Sequence, residues 1–129
     1  MTAWTTDELA RIGGADELNI TTARNNGSLR AWVPIWVVRV DDELYVRSYR
    51  GTGGAWYRHA VQHPVGRIRA GGVERDVTFQ RPDDTVRAAL DNAIDEGYRV
   101  KYARYGNTYL QPMLAAQATR ATLRLTPRQ

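Results

Sequence analysis

The stretch LRAWVPIWVVRVDDELYVRSY, residues 29–49, sets two apolar runs on either side of an acidic dipeptide. Residues 29–40 read as one long strand that is apolar on both faces over much of its length. Pro34 has no N–H to give a ladder and argues against a regular central strand, so it marks an edge, a bulge or a strand end. Asp41-Asp42 turns the chain, and LYVRSY returns as the next strand. A strand, a tight turn and a returning strand make an antiparallel pair, and the rest of the chain is read outward from that pair.

Upstream, Thr5 and Glu8 have capping-box spacing for a short helix that Gly13-Gly14 stops. The β-branched run NITT places a strand over residues 18–24, and Asn26-Gly27 is a hairpin signal leading into residues 29–40. Downstream, VRSYRGTGGAWYRHAVQHP (residues 46–64) loosens at Gly51, Gly53 and Gly54 and enters a short helix with Trp56-Tyr57-Arg58-His59. VGRIRAGG and VERDVTFQR then flank Gly71-Gly72 as a hairpin. In its second arm Val73, Arg75, Val77 and Phe79 share one face, and Glu74, Asp76, Thr78 and Gln80 the other. Pro82-Asp83-Asp84 opens a long helix with Val86, Ala89, Leu90, Ala93, Ile94 and Gly97 on one side. It either ends at Gly97 or runs on towards Tyr102. Residues 121–125 alternate as a last strand, with Ala121, Leu123 and Leu125 inward. Six strands linked mostly by hairpins, with few helices, predict a mainly β fold: a small antiparallel barrel capped by helices, one domain over residues 1–129.

The 129 residues are 43% hydrophobic and 25% charged, enough to bury a core without staples. There is no cysteine, which excludes a disulfide framework, a zinc-thiolate site and a cysteine nucleophile. MTAWTTDELARIGG lacks the basic start and apolar centre of a signal peptide, and no apolar run approaches the roughly 20 residues of a membrane span. A cytoplasmic protein with no membrane span is the expectation. The net charge is +4, and Lys101 is the one lysine among the 18 basic residues. The charges are scattered, which favours a small anionic ligand over nucleic acid. Tyr98, Tyr102, Tyr105 and Tyr109 alternate with Arg99, Lys101 and Arg104 in imitation of a stacking surface. We read them instead as a helix end whose tyrosines pack on the barrel with hydroxyls at the rim, and expect no nucleic-acid partner. Asp83-Asp84 reads as a helix start, and residues 91–96 as a solvated acidic face. Neither serine lies in a G-x-S-x-G elbow, GTGGAW lacks the Lys-Ser/Thr ending of a P-loop, and His59 and His63 have no metal partner at ligand spacing.

What remains is the crowding at residues 46–64. A flavin-type cofactor needs charge-assisted donors for its anionic tail, close backbone approach, and a flat apolar slot for its ring. Arg47, Ser48 and Arg50 supply donors, and residues 51–54 supply backbone amides before a helix start, which attracts anions. Trp32, Trp36, Trp56 and Tyr57 are candidates for the walls.

Residues 20–72, ITTARNNGSLRAWVPIWVVRVDDELYVRSYRGTGGAWYRHAVQHPVGRIRAGG, resemble the split-β-barrel flavin and deazaflavin oxidoreductases, nearest the deazaflavin-dependent nitroreductase branch. The correspondence runs through Thr21-Thr22-Ala23-Arg24, Asn26-Gly27, Arg30, Pro34, the loop 51–54, Trp56-Tyr57-Arg58-His59 and His63-Pro64. It departs at Ala23, where the branch has glycine, and at His59-Ala60, where it has Asn-Leu. An uncharacterised bacterial family on the same fold is the other affiliation. The resemblance implies an FMN-binding-like split barrel and a cofactor that is FMN or a deazaflavin. Arg47, Ser48, Arg50, Gly53 and Gly54 would hold the tail, with Trp56 and Tyr57 nearby and Pro34, Ile35 and Trp36 beside the ring. It further implies hydride transfer to a small organic acceptor, Tyr57 as the candidate hydrogen-bond donor to substrate, and a homodimer. The alternative is a non-catalytic member whose slot is plugged by Trp32 or Trp36.

Overall fold

The computed structural model describes residues 3–128. In chain order the elements are α1 (Thr6–Gly13), β1 (Leu18–Thr22), β2 (Val33–Ile35), β3 (Val37–Val40), β4 (Glu43–Arg47), α2 (Ala55–Gln62), β5 (Val65–Ala70), β6 (Val73–Gln80), α3 (Arg87–Tyr102), α4 (Asn107–Leu114), α5 (Ala116–Arg120) and β7 (Thr122–Pro127). Thr5 caps α1 as its spacing predicts: its hydroxyl accepts from the Glu8 N–H, and the Glu8 carboxylate accepts from the Thr5 N–H.

The strands form one antiparallel sheet in the order β2-β1-β5-β6-β7-β4-β3. Its two edge strands, β2 and β3, are consecutive pieces of one run of chain separated only by Trp36. A sheet whose edges belong to one continuous segment has to curl until they meet. The result is a barrel closed except for a seam at Trp36. The single strand expected over residues 29–40 is therefore two, and the strands number seven instead of six. Pro34 lies in edge strand β2 opposite Asn19, a place where a missing N–H is tolerated.

β4 shows why this region is apolar on both faces. Leu44 and Val46 point into the barrel with Ile20, Ile68, Leu123 and Leu125. Tyr45 points outward, under a second layer of Ile94, Tyr98, Tyr102, Leu110 and Met113 from α3 and α4. Burial of each large side chain on both sides contributes roughly 1.5–3 kcal/mol.

α3 runs on to Tyr102, and Gly97 lies within it. A Cβ at Gly97 would stand 3.3 Å from the Val38 Cβ, so the glycine lets the helix lie close to β3 instead of ending it. The helix is also rotated from the expected face. It buries Ile94, Tyr98 and Tyr102, and leaves Val86 55% exposed. Asp91 and Asp95, expected on a solvated face, turn towards the sheet because an arginine waits there. The hydroxyls of Tyr98 and Tyr102 are inside the layer and not at a rim. That of Tyr102 accepts from the Val37 N–H at 3.1 Å and lies 2.9 Å from the Asp16 carbonyl. Tyr102→Phe should therefore leave the Val37 N–H unpaired and lower unfolding free energy by about 1–3 kcal/mol in urea titrations.

Candidate functional site

A cavity of about 470 Å³ opens at the seam. One wall is Pro34, Ile35 and Trp36, where the chain passes from one barrel edge to the other. Another is the end of β4 and the turn after it, with Arg47, Ser48 and Arg50. Gly54 and Trp56 close it from the start of α2. These are eight of the ten residues expected at a ligand site. The other two lie elsewhere. Gly53 has open space around it. Tyr57 is 5% exposed in the barrel core, edge-on to Trp56, and is not part of the cavity lining.

The turn leading to α2 is a 3₁₀ turn over Gly51–Gly53. Gly51 has φ +70°, and a Cβ there would fall 2.4 Å from the Gln117 side chain; both demands exclude other residues. The Gly51 N–H donates to Ser48 and the Gly54 N–H to Gly51, so these two amides are used within the turn. The open amides are the next ones. The first helical bond of α2 runs from Arg58 to Gly54, and no side chain caps the helix. Its N-terminus therefore faces the cavity with unpaired donors and a positive dipole end.

The two cavity arginines differ. The Arg47 side chain is fully buried. Its Nη1 donates to Asp95 Oδ1 at 2.5 Å and to the Met113 carbonyl at 3.0 Å, and its Nε to Thr122 Oγ1 at 3.1 Å. Asp91, itself paired with Arg87 at 3.2 Å, stands 3.7 Å from Nη2. Two carboxylates thus balance two guanidinium groups, and the Arg47 charge is spent inside the fold. Only Nη2 lacks a hydrogen-bond partner. Arg50 is exposed at the rim and has no ion pair among the described residues. It is the cation a ligand would meet.

Neither tryptophan proposed as a plug fills the cavity. Trp36 lies flat on Tyr102, with ring centroids 3.9 Å apart and planes within 4°, and so forms a wall. Trp32 is not in the lining; Arg69 covers its ring at 4.2 Å. Val33, Tyr49, Ala55, Tyr109 and Met113 complete the lining, and sequence reasoning missed them as site residues. Tyr109 comes from α4, a helix interrupted by Pro112 that carries little periodic signal. The lining contains no carboxylate and no imidazole. His59 stands on α2 outside it, its pKa lowered by burial and by Arg30, Arg58 and Arg24. Among the described residues no cluster of His, Cys, Asp or Glu could hold a metal. The site can bind and orient a largely apolar, flat group with an acceptor atom and an anionic end; beside its arginines, the titratable side chains of its lining are the Tyr49 and Tyr109 phenols.

A barrel parted at one seam, with an apolar cavity there, is a split β-barrel. Residues 8–125 match the family described as "Uncharacterized protein conserved in bacteria (DUF2255)", and the chain belongs to that family. No curated protein matches the sequence. Among solved structures the chain is similar to a FAD-binding protein from Mesorhizobium loti, at 14% identity over 98% of this chain and 92% of that one, with a TM-score of 0.57. It is similar to an F420-H2-dependent reductase at 16% identity, over 86% and 93% of the two chains, with a TM-score of 0.57. It is also similar to HutZ, the haem storage protein of Vibrio cholerae, at 13% identity over 100% and 92%, with a TM-score of 0.61. At these identities the likeness is one of fold. Among the described residues no helix is long and apolar enough to cross a membrane.

Proposed function

We propose that the seam cavity binds a flavin or deazaflavin coenzyme, FMN being the flavin of suitable size, and that the protein serves hydride transfer to a small organic acceptor. The carrying observation is the pairing of an apolar slot with donors that the fold leaves unused: the α2 N-terminus and Arg50. The volume of about 470 Å³ lies in the range of cofactor pockets. Trp36, Ile35 and Trp56 would flank the ring and exclude water from it. Arg50 and the first amides of α2 would hold the anionic tail. The coenzyme, when bound, supplies the hydride. The lining holds no carboxylate or imidazole and does not include Tyr57, so the protein's main part is orientation and desolvation. Exposed Tyr49 and Tyr109, 60% and 64% accessible, flank the mouth and form the surface a homodimer would cover.

Trp36 and Trp56 report binding directly. Titration with FMN and with a deazaflavin should quench tryptophan fluorescence, and Arg50→Ala should weaken that binding by about 1.5–3 kcal/mol, the scale of a charged hydrogen bond. Absence of quenching by either compound defeats the proposal. Binding without reduction of any acceptor would support the second reading, a protein that holds the coenzyme without turnover, which a lining without carboxylate or imidazole favours.

A further inference from the structure

A second cavity, of about 440 Å³, lies between the end of α1, β3 and α3. Gly13, Val38, Gly97 and Val100 make its apolar surface, and Arg39, Glu96 and Lys101 bring charge to it. Lys101 is the only lysine of the chain. It stands half-buried, with Nζ donating to the Val37 carbonyl at 2.7 Å and 5.0 Å from the centre of the Tyr102 ring. Burial lowers its pKa to about 8; Arg104 pushes the same way, and Asp16 opposes both. A sizeable share of the amine is therefore neutral, and nucleophilic, near physiological pH. Arg39 is steadied by its Nε bond to the Asp41 carbonyl at 2.7 Å and by a loose ion pair with Asp42 at 3.7 Å. The remainder of its fork is available to an anion. Glu96 has only a 3.6 Å contact with Arg99.

We propose that Lys101 is a covalent binding site for a small 2-oxo acid, with Arg39 holding the carboxylate and Glu96 assisting the loss of water. The neutral amine attacks the carbonyl carbon; the C–N bond forms as the carbonyl π pair moves to oxygen, which takes up a proton. The Glu96 carboxylate takes one proton from the new C–NH2+ nitrogen and passes it to the hydroxyl; water leaves, and the nitrogen lone pair so freed closes the C=N bond. The sum is a lysine ammonium and a ketone giving an iminium and water, with no oxidant or reductant. The iminium keeps one N–H, which the Val37 carbonyl accepts in place of the ammonium. Val38 and Val100 suit a short alkyl substituent.

The experiment is trapping with sodium cyanoborohydride, using pyruvate or propanal as probe, read by peptide mass mapping. Reduced adduct should appear on the peptide containing Lys101 and be half-maximal near pH 8. Lys101→Arg, checked for folding by circular dichroism, should lose it. Arg39→Gln should lower pyruvate labelling at least about tenfold while sparing propanal, as expected when a charged hydrogen bond to the carboxylate is removed. Labelling confined to the N-terminal amine, or no labelling of the folded protein, overturns the site. Pyruvate labelling of Lys101 that Arg39→Gln leaves unchanged overturns the assignment to 2-oxo acids.

Discussion

Arg47→Ala is expected to cost about 3 kcal/mol of stability in the ligand-free protein, because it empties a fully buried position and leaves the partly buried Asp95 carboxylate without its counter-charge. Asp95 loses its 2.5 Å partner, and the Met113 carbonyl and Thr122 hydroxyl lose a shared donor. These groups come from α3, α4 and β7, so one side chain ties three elements to β4. Urea unfolding measured without ligand gives the test. A residue that served only to grip a coenzyme tail would leave that midpoint unmoved, and an unmoved midpoint would refute the structural role given to Arg47 here. Combining Arg47→Met with Asp95→Asn should recover much of the loss, since Asp91 keeps Arg87 as its partner and no charge is then stranded.

Gly66→Ala should be nearly as damaging for a different reason. Gly66 lies in β5 between Thr22 of β1 and Val77 of β6. A Cβ there would fall 2.1 Å from the Thr21 carbonyl oxygen and 3.0 Å from two carbons of the Phe79 ring. The ring has some room to turn; the carbonyl belongs to a paired strand and has none. Loss at or above the upper end of the roughly 1–3 kcal/mol typical of overpacking is expected. Thermal unfolding beside an Ala70→Gly control separates this clash from simple loss of packing. A melting temperature equal to that of the unaltered protein would show that the sheet can yield at this point.

Much of the architecture follows from local chemistry. The Thr5–Glu8 cap, the Gly71-Gly72 hairpin and the alternation along residues 73–80 are short-range patterns, and all are present as expected. The division of residues 29–40 was not legible. Trp36 and its neighbours have ordinary strand chemistry, and only closure of the sheet makes the chain change edges there. The rotation of α3 escaped for a related reason. Hydropathy puts Ala89 and Ala93 inward and Asp91 and Asp95 outward, but an arginine 48 residues from Asp95 in sequence reverses the choice.

The site divides along the same line. The sequence by itself determined the kinds of group available: tryptophans for a flat slot, arginines for an anion, glycines for a tight turn, and no cysteine. It also determined that most of these groups fall within a short span, residues 34–56, joined by one hairpin and one turn. Only the tertiary structure decided which groups remain free to bind. Arg47 and Arg50 look alike in sequence, yet strand alternation puts one under α3 against two carboxylates and the other at the rim in water. Trp36 and Trp32 are both bulky, yet Tyr102 draws one into the cavity wall and Arg69 holds the other outside it. The physical reason is that a side chain's chemistry is a property of the residue, whereas its unspent bonding capacity depends on every element packed against it.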